Sequence, residues 1–319
     1  MRARELVVGK AGDLKEGQMK TLEVAEGQQI VLVNIDGKVH ALGGTCPHYG
    51  AELADGVLSR GRIRYPWHHA VFDARTGDLV EPPALNCLET FEAQIRGEDI
   101  VLTLPEEFQS DRVPVMAKHA PRSDSRTFVI LGAGAAVVTD SGESISTDMV
   151  SLGVGVAPAT NFIEGLEKLS DGSIKVDKTL YAGKDAYAAG DIASFPDPSS
   201  GELIRVEHWT LAQNQGLVAG RNMAGKRTEL DRIPFFWTNQ VGLYFRYIGY
   251  AKTWDDVIIQ GDIMSQEFLA LYVKDNRIAA VAGNNKEKEL AAIHELMTHK
   301  AMPSPAQVNE NGFDWLGQL

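Results

Sequence analysis

The sequence predicts a multidomain α+β protein, and three stretches of its text carry that expectation. Residues 1–104 hold only short strand-like runs, residues 127–228 mix buried-looking strands with one helical stretch, and residues 229–319 return to strands and close on an amphipathic helix. A chain of 319 residues is long enough for two or three domains with their own cores, and an apolar fraction of 44% is that of a globular protein.

Taken in order, QQIVLVNID and KVHALGG flank Asp36-Gly37, a hairpin signal. GRIRYPW, AVFDARTGDLV and DIVLTLP follow as strand pieces separated by Gly, Asp and Pro, a spacing that predicts a small all-β sandwich or barrel. Residues 105–126 mix Pro with charge and show no period, so they read as a linker. TFVILGAGAA then gives a strand running into a Gly-rich turn. SISTDMVSLGVGVAP and the text at 180–191 predict further strands of a parallel sheet. In 209–225, Leu211, Gln215, Val218 and Asn222 recur at helical spacing and Gly225 is a stop. Beyond 230, PFFWTNQ, GLYFRYIGYA, DVIIQGD, EFLALYVKD and RIAAVAG read as consecutive antiparallel strands, with Asp275-Asn276 as one turn. Leu290, Ile293 and Met297 define one face of a helix over 286–300, and the remaining residues to 319 are expected to form a loosely ordered tail.

A formal net charge of −12 argues against nucleic acid or an anionic membrane as partner, and it is compatible with docking on a basic protein. No run approaches the roughly 18 apolar residues of a membrane span. The first residues, MRARELVVGKAGDLKEG, lack the apolar core of a signal peptide, and Cys46 and Cys87 are too few for a disulfide framework. The cytoplasm is the expected compartment.

TCPHYGAELADGVLSRGRIRYPWHHAVF resembles the Rieske signature, in which a C-x-H pair and a C-x-x-H pair lie on two facing loops. Cys46, His48 and His68 match it, and GDLVEPPAL resembles the Pro-rich segment that covers the cluster in this family. The resemblance implies a [2Fe–2S] centre held by Cys46, His48 and His68. Its fourth position is Tyr65, a harder and larger donor than thiolate whose phenol has a pKa of about 10. A mononuclear metal on Cys46, His48 and His68, joined by His69, is a second reading; a β fold that binds no metal is a third.

Ile130 through Ala136, ILGAGAA, resembles the start of a dinucleotide fold, a strand and then a GxGxx(A/G) turn, with Gly132 and Gly134 as its first two glycines. SLGVGVAP, DAYAAGDIA, RVEHWTLAQNQG and PFFWTNQVG then resemble, in order, segments of the apoptosis-inducing-factor-like, ferredoxin-reductase-type flavoproteins. The resemblance implies a Rieske-like all-β domain (1–104), a reduced α/β FAD-domain remnant (127–228) and a reductase C-terminal domain and tail (229–319). It also implies that Gly132, Gly134, Asp191, Glu207, His208 and Trp209 serve FAD, and that electrons pass between NAD(P)H, FAD and the [2Fe–2S] centre. A redox partner protein and a homodimer are further expectations.

The chain departs from that pattern after Ala136, where VVTDSGES replaces a helix and the rest of a nucleotide fold. No second GxGxxG follows. Gly132 and Gly134 then read equally as a tight turn, and Asp191 as a helix N-cap. A non-catalytic, degraded reductase acting as a binding or dimerisation module is the competing expectation.

Overall fold

The computed structural model describes residues 3–105, 108–112, 135–138, 144–147, 156–240, 242–308 and 313–319. The chain divides into two compact units, Val115–Ala157 and the remainder. In the smaller, Ala135–Val138 pairs antiparallel with Ser144–Thr147. Gly132, Gly134 and most of the expected linker lie outside the described residues.

The larger unit begins with an antiparallel sheet whose strands lie in the spatial order Ala3–Lys10, Asp99–Pro105, Thr90–Arg96, Lys38–Gly43, Gln28–Ile35 and Met19–Ala25. The expected hairpin is present: Asp36 and Gly37 take φ of 55° and 70°, the pair of left-handed conformations that a two-residue turn requires. The strand Gln28–Ile35 is buried on both faces. Val31 and Val33 point toward Leu53, Ile63 and Phe72, and Ile30 and Leu32 toward Leu14, Ile100 and Leu102. Facing the first of these layers is a small sheet of Val57–Ser59, Arg62–Arg64, Val71–Asp73 and Leu79–Glu81. Residues 108–112 extend the domain, since Asp111–Arg112 pairs with Cys87–Leu88 and Phe108 packs edge-on against Phe91.

Residues 156–233 hold a three-stranded sheet and the helix α1 (Trp209–Met223), the helix expected from its periodicity. This sheet is mixed, which corrects the expectation of a parallel one. Ile174–Lys175 runs parallel to Ala193–Pro196, but Leu203–Ile204 returns antiparallel because Asp197 turns the chain, its carboxylate accepting from the Ser200 amide and hydroxyl.

Strands Phe235–Gln240, Leu243–Gly249, Arg277–Asn284, Glu267–Lys274 and Asp256–Asp262 form the last sheet, in that spatial order, and α2 (Glu287–Thr298) covers one face. The tail is not loose, as far as it is described. Residues Pro305–Val308 form a short helix, α3; Val308 and Trp315 are buried in the same core, and Gln260 joins them by donating to the Val308 carbonyl at 2.7 Å and accepting from Trp315 Nε1 at 2.8 Å. Scattered apolar residues in a polar stretch, with Val308 and Trp315 seven positions apart, gave no periodic signal that showed this. No helix among the described residues is long and apolar enough to cross a membrane.

Candidate redox site

Two loops, one ahead of the small sheet and one between its strands Arg62–Arg64 and Val71–Asp73, share one backbone design. The Cys46 amide donates to the Ala51 carbonyl at 2.9 Å and the Gly50 amide to the Cys46 carbonyl at 2.8 Å; the Tyr65 amide donates to the Ala70 carbonyl at 2.9 Å and the His69 amide to the Tyr65 carbonyl at 3.1 Å. The fifth residue of each loop is left-handed, Gly50 with φ 77° and His69 with φ 59°. Glycine adopts that conformation freely, whereas a histidine there is uncommon and needs support. His69 has it: its ring stacks on Phe235 at 3.8 Å and 8°, and its Nδ1 lies 2.8 Å from His294 Nδ1.

The loops bring His48 and His68 together, with their Nδ1 atoms 3.1 Å apart. Burial lowers the pKa of both, His68 to about 4, so both rings are neutral near pH 7. Cys46 is buried among Leu53, Ile63 and Phe72, and burial pushes its thiol up to about 12, although the His48 and Tyr49 amides donate to the sulfur. His69 is not with this pair, because its Nδ1 faces His294. Cys87 Sγ accepts from the Leu79 amide at 3.4 Å. Among the described residues no group of three or more His, Cys, Asp or Glu side chains is arranged to hold a metal.

Tyr65 decides how a [2Fe–2S] cluster fits. Its side chain is 0% exposed, packed in the same core as Cys46, and burial raises its pKa. Among the described residues the buried hydroxyl has no hydrogen-bond partner. A cluster needs a second thiolate at this position; the position instead holds a neutral phenol belonging to the apolar core. The residues present do not fit the cluster.

Two of the expected flavin residues, Asp191 and Glu207, meet at one cation. Arg205 Nη1 donates to the Asp191 carbonyl at 3.1 Å and pairs with Glu207 at 2.7 Å, while its Nε donates to Asp171 at 2.9 Å. Asp191 sits in a turn ahead of the strand Ala193–Pro196, not at a helix start. The N-cap of α1 is His208: its Nδ1 lies 3.4 Å from the Thr210 amide and 2.7 Å from Thr210 Oγ1. Burial lowers this histidine to about 4. A cleft of about 440 Å³ opens beside Arg205, Glu207, His208, Phe236 and Tyr247. Trp209 and Trp237 stand edge to face with centroids 5.5 Å apart.

The two expected sites are neighbours. His48 lies 6.0 Å from Trp209, centroid to centroid, and His68 lies 4.4 Å from Trp237. Trp237 forms the wall the two sites share. Sequence reasoning missed the polar groups behind that wall: Arg64, Glu81, Arg246, His294 and Glu295. They come from segments far apart in the chain, and no local pattern marks such a set.

Three family models match the chain: the Rieske [2Fe-2S] domain at residues 4–92, pyridine nucleotide-disulphide oxidoreductase at 88–216 and the reductase C-terminal domain at 235–315. Apoptosis-inducing factor 3 of Mus musculus is 24% identical over an alignment of 507 residues that covers 92% of this chain and 84% of that protein. The ferredoxin–NAD(+) reductase component of the anthranilate 1,2-dioxygenase system of Burkholderia cepacia is 30% identical over 179 residues, covering 56% of this chain and 44% of that protein. A solved ferredoxin reductase from Rhodopseudomonas palustris is similar at a TM-score of 0.51 and 26% identity, covering 56% of this chain and 45% of that one. The chain thus spans under half the length of these two ferredoxin reductases. The chain combines a Rieske-matched segment with reductase-matched segments and is homologous to apoptosis-inducing factor 3 and to the ferredoxin reductases.

Proposed function

We propose that this chain is an oxidoreductase of the Rieske plus FAD-dependent reductase type whose electron transfer is impaired at the iron–sulfur end. The observation that carries the reading is Tyr65, a fully buried phenol where the pattern requires a thiolate. Its redox ancestry is supported by the contact of the two half-sites, since His48 and His68 lie against Trp209 and Trp237. In this reading Asp191, Glu207, His208 and Trp209 orient a flavin, which when bound supplies the exchange between two-electron and one-electron chemistry. Arg205 holds Glu207 and the Asp191 backbone in place. Cys46, His48 and His68 are the three surviving positions of the four-ligand iron site. A second impairment is an internal loss, because the alignment with apoptosis-inducing factor 3 runs over 507 residues although the chain has only 319. The electron acceptor is a redox partner protein, and a homodimer is compatible with the reading.

The test is iron and sulfide analysis of the purified protein beside Tyr65→Cys. The unmodified protein is expected to carry no stoichiometric cluster and the variant to assemble one, with its brown absorption. Two irons and two sulfides per chain in the unmodified protein would overturn the reading. The intact polar network behind the wall favours one alternative, a non-catalytic binding module that keeps the family's fold.

A further inference from the structure

A buried ion pair joins residues from the two ends of this chain. Arg64, in the small sheet of the Rieske-matched segment, donates from Nε to Glu295 Oε1 of α2 at 2.6 Å, and both side chains are 1% exposed. Its Nη2 lies 3.3 Å from Glu81 Oε2, and its Nη1 donates to the His69 carbonyl at 3.3 Å. Glu81 also faces Arg232 at 3.4 Å. Beside this network His69 stacks on Phe235 and meets His294. Arg246, from the strand Leu243–Gly249, donates to the Trp67 carbonyl at 3.0 Å and to Glu287 at 2.8 Å. Val57 is buried within the core of the last sheet, among residues such as Ile233, Phe235 and Leu290.

Apolar burial and charge act differently here. Val57 and the His69–Phe235 stack remove apolar surface from water, which drives the contact. A buried ion pair adds little net stability, but losing one partner leaves an uncompensated charge in a dry place. It therefore selects one arrangement of the two segments and penalises every partly opened one. The loop that carries His68 is bounded by these contacts at Arg64, Trp67 and His69.

We propose that residues 28–104 and 235–297 form one cooperative body through this interface, with Arg64 as its positioning residue. The histidine loops are consequently fixed against Trp237 and do not swing to it as a tethered domain would. This holds whether or not any cofactor binds, so it stands apart from the redox reading.

Hydrogen exchange read by mass spectrometry on the full chain, across a urea series, tests the proposal. Peptides from 28–43 and from 267–297 should lose protection at the same urea concentration. Arg64→Ala should lower that concentration for both segments together. Arg96→Ala, which breaks the exposed pair with Glu5 on the outer sheet, should shift neither. Loss of protection in 28–43 at clearly lower urea than in 267–297 in the unmodified protein would overturn the proposal. An Arg64→Ala protein that weakens 28–43 alone would do the same. If that variant does not fold, the comparison of the two segments in the unmodified protein still decides.

Discussion

Tyr65 places a hydroxyl in the apolar core between the two loops, and among the described residues no group accepts its proton. A buried polar group without a partner costs about 1–3 kcal/mol of desolvation, whereas removing it while keeping the shape is neutral or better. Tyr65→Phe should therefore raise the urea midpoint, by on the order of 1 kcal/mol of stability. A lower midpoint would mean that the hydroxyl bonds to something in solution. The same residue shows what was legible at this scale. The resemblance to the Rieske signature singled out Cys46, His48 and His68, and with them the foreign residue at 65. Its orphaned hydroxyl could not, because hydrogen-bond partners belong to the packed structure. His69 was read only as an extra candidate ligand; its left-handed backbone and its stack on Phe235 make it part of the interface instead.

Elements with strong periodicity were readable, and elements held by a few long-range contacts were not. α1 and α2 match their apolar spacing, and the five strands after residue 234 fall where alternation and turn residues put them. The tail failed that test because Val308 and Trp315 are its main buried residues, and one helix of four residues carries no period. Trp315 is 2% exposed and stacks edge-on with Phe313 at 4.7 Å. Trp315→Ala removes that ring and its bond to Gln260, and it should destabilise the C-terminal sheet by about 3–5 kcal/mol. Urea unfolding followed by far-ultraviolet dichroism would measure it. A change under about 1 kcal/mol would show that the tail is an appendage after all.

Across the whole molecule, every histidine among the described residues has its pKa lowered, with burial as the first cause. His69 and His294 are shifted furthest. Both lie in the interface, Arg64 facing both, with Arg246 and His68 also near His69 and Arg232 near His294. Glu295 and Glu81 are on the other side of Arg64 and already paired with it. The unfolded chain takes up protons near pH 6.5, while the folded chain resists until far lower, so between those values the unfolded state binds more protons. Stability from these groups is then complete above about pH 6.5 and declines as pH falls below it. Glu295 acts in a different window. Its pKa is lowered from 4.5, so its contribution is lost only as pH falls below that value. The interval between these two windows belongs to histidine. Each proton taken up only by the unfolded chain tilts stability by about 1.4 kcal/mol per pH unit. Urea midpoints should accordingly hold steady from pH 8 to 7 and fall between pH 6.5 and 5. His69→Asn, which tolerates the left-handed backbone at that position, should remove about one proton's worth of that slope. A midpoint that stays level from pH 7 to 5, or an unchanged slope in His69→Asn, would show that the buried pair is not what makes this fold sensitive to acid.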